Sequence, residues 1–304
     1  MIRLGLVCIF RHEPIKFRRT TAKYVSSLGL QERLPFLSGL ILDNISSLSK
    51  ALKYCILNGI GDFRINSQIM PLKTHPELHY ELKDLPDYQQ IMVELEKCRE
   101  LCKEHNLRTT FHPDQFILLS SIDPAVVSKS IAELQYQAEF SELIGCDVIN
   151  IHGGGAYGNK KDSLARLRRN YELLPEAVQS RLTLENDDRV FTPQDLLPVC
   201  NDLDIPLVYD VHHHRCLADG MSEEKATEFT LKTWNREPLF HLSSPRLGWG
   251  NGNSRLHHDY IDFGDFPESW RELDLTIEVE AKGKELAVLL LKENLLQAGY
   301  DILK

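Results

Sequence analysis

Imidazole and carboxylate groups recur in this 304-residue chain at His112, His152, Glu185, Asp210, His241 and Glu280, each at or just beyond the end of a short apolar run. His212, His213 and His214 follow Asp210, His257 and His258 form a pair, and Glu278 stands two residues before Glu280. Neutral imidazoles suit Zn²⁺ or Mn²⁺, and a carboxylate can bridge two ions and offset their repulsion. Two or three divalent ions about 3.5–4 Å apart can deprotonate a water at neutral pH and stabilise both oxygens of an in-line displacement at phosphorus. The chemistry suggested by this set is therefore phosphodiester hydrolysis. Taken singly, each residue would more often be a hydrogen-bonded loop or surface group; their shared position at the ends of runs sets them apart. Consecutive residues of an extended segment point to opposite sides, so Asp210 and His213, three apart across a bend, form the preferred pair, with His212 and His214 behind them. By the same alternation only one of His257 and His258 can be a ligand.

These groups converge only if the apolar runs are neighbouring strands. The runs span residues 3–9, 62–66, 107–112, 147–152, 181–185, 206–210, 238–242 and 274–280. They alternate with segments of helical period at 43–58, 87–105, 124–144, 161–179, 192–203, 222–234, 266–272 and 283–298. Asp123-Pro124, Thr192-Pro193 and Ser222 before Glu223 and Glu224 are helix-start signals. Alternation over the whole length, with no Gly/Ser/Pro-rich linker, predicts an α/β protein: a single (β/α)8 TIM barrel over residues 1–304, which carries its chemistry at the C-terminal ends of the strands. No GxGxxG turn follows the first run, which argues against a dinucleotide-binding sheet. Residues 10–40 form a long basic and polar connection that periodicity does not resolve. Gly153-Gly154-Gly155, after the fourth run, would allow a ligand to approach the backbone closely.

The 42% hydrophobic and 26% charged content is that of an ordinary globular protein. A net charge of −9, from 35 Lys+Arg against 44 Asp+Glu, argues against nucleic-acid binding through bulk charge. Two local segments could still contact phosphates: Arg11, Lys16, Arg18, Arg19 and Lys23 in the first, and Lys160, Lys161, Arg166, Arg168 and Arg169 in the second. Seven cysteines scattered through apolar stretches suit reduced core thiols, and Cys98 and Cys102 are spaced as helix neighbours. No run approaches the roughly 18 apolar residues of a membrane span, and the N-terminal stretch lacks a signal-peptide pattern, so a cytoplasmic protein without a membrane role is expected.

Segments 3-RLGLVC-8, 63-FRINSQIMP-71, 111-FHPDQF-116, 149-INIHGGG-155, 183-TLENDD-188, 208-VYDVHHHR-215, 241-HLSSP-245, 257-HHDYID-262 and 278-EVEAKGKE-285, in this order, resemble UV damage endonucleases, relatives of endonuclease IV among the xylose-isomerase-like barrels. The resemblance implies a metal-dependent endonuclease that nicks duplex DNA 5′ to UV photoproducts, cyclobutane dimers and 6-4 photoproducts, in excision repair. It implies two or three divalent ions, Mn²⁺ before Zn²⁺ or Mg²⁺. His112, His152 and Glu185 would hold one ion. Glu185 would bridge to a second, held also by Asp210, His241 and Glu280, and His213 with His257 would hold a third. His112, Glu185 and Glu280 would thus stand at the reaction centre. Gln115 and Phe116 match the family's pair of probing side chains, with Arg11, Lys160 and Lys161 as DNA contacts. The alternative for Phe116 is a buried loop anchor. The chain departs from the family at Leu6 and Phe10, where a Tyr and an Asn are usual, at Phe116, often Tyr, and at Leu239, where a carboxylated lysine can stand. Competing readings are an apurinic/apyrimidinic endonuclease, a sugar isomerase or epimerase on the same barrel, and a non-catalytic DNA-binding derivative. A monomer with no obligate protein partner is the simplest expectation.

Overall fold

Period-two alternation in the strands divides their side chains between the inside of a closed barrel and the layer under its helices. The computed structural model describes residues 1–303. Along the chain run β1 (Ile2–Val7), α1 (Ala22–Ser27), α2 (Leu30–Asn58), β2 (Asp62–Ile65), α3 (Tyr88–Glu104), β3 (Arg108–Phe111), α4 (Pro124–Ile144) and β4 (Val148–His152). There follow α5 (Lys160–Tyr171), α6 (Glu176–Gln179), β5 (Leu182–Glu185), α7 (Pro193–Leu203), β6 (Leu207–Asp210), α8 (Val211–Cys216), α9 (Glu223–Leu231), β7 (Leu239–Leu242), β8 (Leu275–Val279) and α10 (Glu285–Gln297). The eight strands pair in parallel in sequence order, and β8 closes on β1.

Outward residues such as Leu4, Phe63, Phe111, Ile149, Leu184, Tyr209, Phe240 and Ile277 join the main apolar core beneath the helices. Inside the barrel, Val148, Val208 and Leu239 form a separate small apolar cluster, and most other inward residues are polar. Register brings the polar ones together: His152 is level with Glu185, Asp210 with His241, and His241 with Glu278.

The expected caps form. Asp123 accepts from Ala125 N–H with Pro124 in the first turn, Thr192 from Asp195, and Ser222 from Lys225. Three expectations need correction. The helix placed at 43–58 begins at Leu30, because Pro35 is accommodated near its start instead of ending it. The segment 161–179 is two helices, divided before Pro175, which caps the second. The stretch 266–272 holds only a short 3₁₀ turn, Glu268–Trp270. All seven cysteines are free, five of them buried. Among the described residues no helix is long and apolar enough to cross a membrane.

Candidate active site

At the C-terminal end of the barrel the strand-end side chains meet. Donor atoms of His112, His152 and Glu185 lie within 4.8 Å of one another, and so do those of Glu185, Asp210 and His241, with Glu185 common to both groups. Oε2 of Glu185 lies 2.9 Å from Nε2 of His112 and accepts from Asn150 Nδ2 at 2.6 Å. Oε1 lies 3.2 Å from Nδ1 of His241 and 3.3 Å from Nδ1 of His213, without a well-aligned hydrogen bond to either.

One ring nitrogen of each of His112, His213 and His241 is engaged by a neighbouring group, which orients the ring. The Pro113 carbonyl lies 3.1 Å from His112 Nδ1 and the Asn186 carbonyl 3.0 Å from His213 Nδ1. Glu278 is 3.0 Å from His241 Nε2, and Arg64 bonds Glu278 and Glu280 and lies beside that same nitrogen. Glu280 itself lies 3.7 Å from His241 Nδ1 and 3.9 Å from His257 Nδ1.

Burial would raise the Glu185 carboxyl, yet His241 and His152 hold it well below the usual range. Burial would lower His241, but Glu185 raises it to about 10; burial would lower His213, but Asp210 and Glu185 raise it well above its ordinary value. The carboxylates are thus held ionised by the imidazoles around them. Buried Glu185 Oε1, Asp210 Oδ2, His152 Nδ1 and His241 Nδ1 have no hydrogen-bond partner. Unpaired buried polar atoms are costly, and a convergent set of carboxylate and imidazole donors fits divalent ions, which would take up those lone pairs.

The sequence profile of UV-endonuclease UvdE matches residues 2–302. The chain belongs to the UV-endonuclease UvdE family. A UV DNA damage endonuclease of Bacillus velezensis is 33% identical over 97% of this chain and 94% of the relative. The crystal structure of SacUVDE covers 99% of this chain and 100% of that one with a TM-score of 0.87 at 28% identity. Endonuclease IV from Thermus thermophilus, at 17% identity and a TM-score of 0.59 over 82% of this chain, shares the fold.

Other family-matched positions fall into two groups. Phe116 is 71% exposed, which rules out the buried-anchor alternative, and Gln115 beside it is also exposed. Their loop is tied at its base by Leu118 N–H to Ser130 Oγ, Arg166 Nε to the Ser120 carbonyl, and Asn170 to the Leu119 carbonyl. By contrast, Leu6 is buried in the main core, Phe10 meets Tyr54 edge-on and stacks on Phe63, and Leu239 sits in the apolar interior cluster.

Several expectations change. Residues 212–214 are helical, not extended: Asp210 caps α8 and accepts the His213 N–H at 2.7 Å, so the two meet through the cap. His214 bonds Tyr209 and Asp219, whereas buried His212 lies against Trp249 and His257 with both ring nitrogens unpaired. A Cβ on Gly154 would sit 2.2 Å from Ser120 Oγ, and one on Gly153 2.8 Å from the Phe191 ring, so loop packing by itself requires both glycines. Lys160 pairs with Asp195, Arg168 with Asp202 and Arg11 with Asp259, while exposed Lys161 has no ion pair among the described residues.

Sequence reasoning passed over Arg64, Asn150 and Asn186. A signal existed for Arg64: Asp62, Arg64 and Asn66 alternate along β2 and its end, which places charged groups on the barrel interior.

Proposed function

We propose that this protein nicks duplex DNA on the 5′ side of UV photoproducts by divalent-metal-dependent hydrolysis. The observation that carries this reading is the buried Glu185 carboxylate, shared by two donor groups in which Glu185 Oε1, Asp210 Oδ2, His152 Nδ1 and His241 Nδ1 lack hydrogen-bond partners. His112, His152 and Glu185 would hold one ion; Glu185, Asp210, His241 and Glu280 a second; His213 and His257 a third, Mn²⁺ being the expected species. Ions bound there supply the Lewis acidity that makes water a nucleophile at neutral pH and neutralise charge on the phosphate.

The chain's own residues do the positioning. Asn150, itself fixed by Thr183 Oγ1 at 3.0 Å, aims Glu185. The carbonyls of Pro113 and Asn186 take the Nδ1 protons of His112 and His213, leaving Nε2 of each able to donate a lone pair. Glu278 and Arg64 together hold His241 at its Nε2, which turns Nδ1 towards Glu185. Overall, water adds across the P–O3′ bond, leaving a 3′-hydroxyl and a 5′-phosphate. Gln115 and Phe116 would enter the duplex at the lesion, where stacking is already weakened.

A labelled duplex carrying one cyclobutane dimer, beside undamaged and abasic duplexes, tests the reading. Cutting immediately 5′ to the dimer is expected with Mn²⁺ and none with EDTA. Cutting of the abasic duplex alone would point to an apurinic/apyrimidinic endonuclease, and no cutting at all would return weight to a sugar isomerase or epimerase.

Glu278 offers a second check. Glu278→Gln keeps the shape but weakens the hold on His241, and partners of this kind typically contribute 10–100-fold to metal affinity. Titration of the apoprotein with Mn²⁺ is expected to show a loss of that order; wild-type affinity would remove Glu278 from the positioning role.

A further inference from the structure

The last segment singled out in the sequence, 278-EVEAKGKE-285, holds two lysines that the metal centre does not use. They line a cleft of about 360 Å³ at the barrel mouth, together with Arg64, Arg255, His257 and Glu280. The cleft therefore opens directly onto the metal-competent groups. Arg255 shares its charge with Asp188 at 3.2 Å, but neither Lys282 nor Lys284 makes an ion pair among the described residues. Unneutralised cations at the mouth of the cleft suit an anion brought to the site.

The backbone around Lys284 is over-determined. Lys282 N–H donates to the His258 carbonyl at 3.0 Å and Gly283 N–H to that of Asp259 at 2.7 Å. A Cβ on Gly283 would lie 2.4 Å from the Asp259 carbonyl oxygen, so this approach requires glycine. On the other side, fully buried Glu285 accepts the N–H groups of Arg11, His12 and Glu13 at 2.8, 2.7 and 3.3 Å. Between these anchors Lys284 adopts φ 53°, ψ −124°, a conformation that glycine takes far more easily than lysine. A side chain kept in a strained conformation on the wall of a cleft points to a task for that side chain.

We propose that Lys284, with Lys282 and Arg255 beside it, forms a subsite for a DNA backbone phosphate next to the scissile one. The inference rests on the nuclease reading and adds where the strand lies: along the mouth between the loop at residues 257–259 and the one at 11–13. A neutral sugar would gain nothing from these cations, whereas a polyanion gains affinity and register.

The test compares wild type, Lys284→Gly and Lys284→Arg as full chains in Mn²⁺, nicking the dimer duplex over a range of salt. Losing one charged hydrogen-bonding partner is expected to raise KM for Lys284→Gly roughly tenfold with kcat nearly unchanged. The slope of log(kcat/KM) against log[salt] should become shallower by about 1. Lys284→Arg should restore both. Bound Mn²⁺ should match wild type and Lys284→Gly should melt no lower, because glycine relieves the backbone strain; a merely structural lysine would show the opposite in melting and no change in salt slope. Unchanged KM and slope in an otherwise active enzyme would overturn the subsite alone, as would a KM change that tracks lost Mn²⁺. A wild type that cuts no duplex would overturn the nuclease reading and the subsite with it.

Discussion

Replacing Glu185 by glutamine is expected to lower nicking by roughly 10³-fold or more, and His112→Ala to do the same, while both proteins keep the barrel. The reason lies in what each oxygen of Glu185 faces. Oε2 is between His112 and Asn150, Oε1 between His213 and His241, and the side chain is 1% exposed. Glutamine keeps the shape but puts an N–H₂ where a lone pair must be shared, so one of the two donor groups loses a member whichever way the amide turns. His112→Ala removes the imidazole whose Nε2 meets Glu185 and leaves the opposite group intact. Circular dichroism and melting should show a folded protein in each case, because the helices pack on the outer faces of the strands and not on this pocket. Metal analysis should show bound Mn²⁺ reduced in both. Near-wild-type rates in both variants would remove the ligand assignment.

How far the site could be read in the sequence depends on distance along the chain. His152, Glu185, Asp210 and His241 were legible because each stands at or next to the end of a strand, and parallel strands in sequence order must bring their ends to one rim. The Asp210–His213 pairing was legible as a bend at the strand end; the bend is a helical turn, whose capping geometry brings residues three apart together. What stayed hidden depends on long-range partners. Nothing near Arg166 in sequence shows that it holds the Ser120 carbonyl rather than a phosphate, and nothing near Glu285 shows that it anchors residues 11–13. Pro35 concealed thirteen residues of α2 because a proline near a helix start resembles a boundary when tertiary packing is unknown. The inward layer of β2 was readable by alternation alone, which sends Asp62 and Arg64 to one side and Phe63 and Ile65 to the other.

Removal of both side chains in Gln115→Ala with Phe116→Ala should reduce the preference for damaged over intact duplex by roughly 10–100-fold, with intact-duplex affinity changed by no more than about threefold. Stacking of an aromatic ring on a base is worth about 1–3 kcal/mol, and that contact is made only where the helix opens. Intact duplex would be held by phosphate contacts, which the double substitution does not touch. Phe116 is solvent-exposed at the tip of a loop whose root is tied to α4 and α5. The pair thus stands clear of the core, and its removal should leave stability within about 0.5 kcal/mol, as for other surface sites. Phe116→Leu separates the two contributions: an apolar filler that cannot stack should recover part of the preference, whereas Gln115→Ala alone should lower it by the loss of hydrogen bonds to exposed base edges. Binding is read by anisotropy on dimer-containing and intact duplexes of one sequence, so that salt and length effects cancel. Equal losses on both duplexes would mean that the pair adds only general affinity, and recognition of damage would then have to come from the cleft walls themselves.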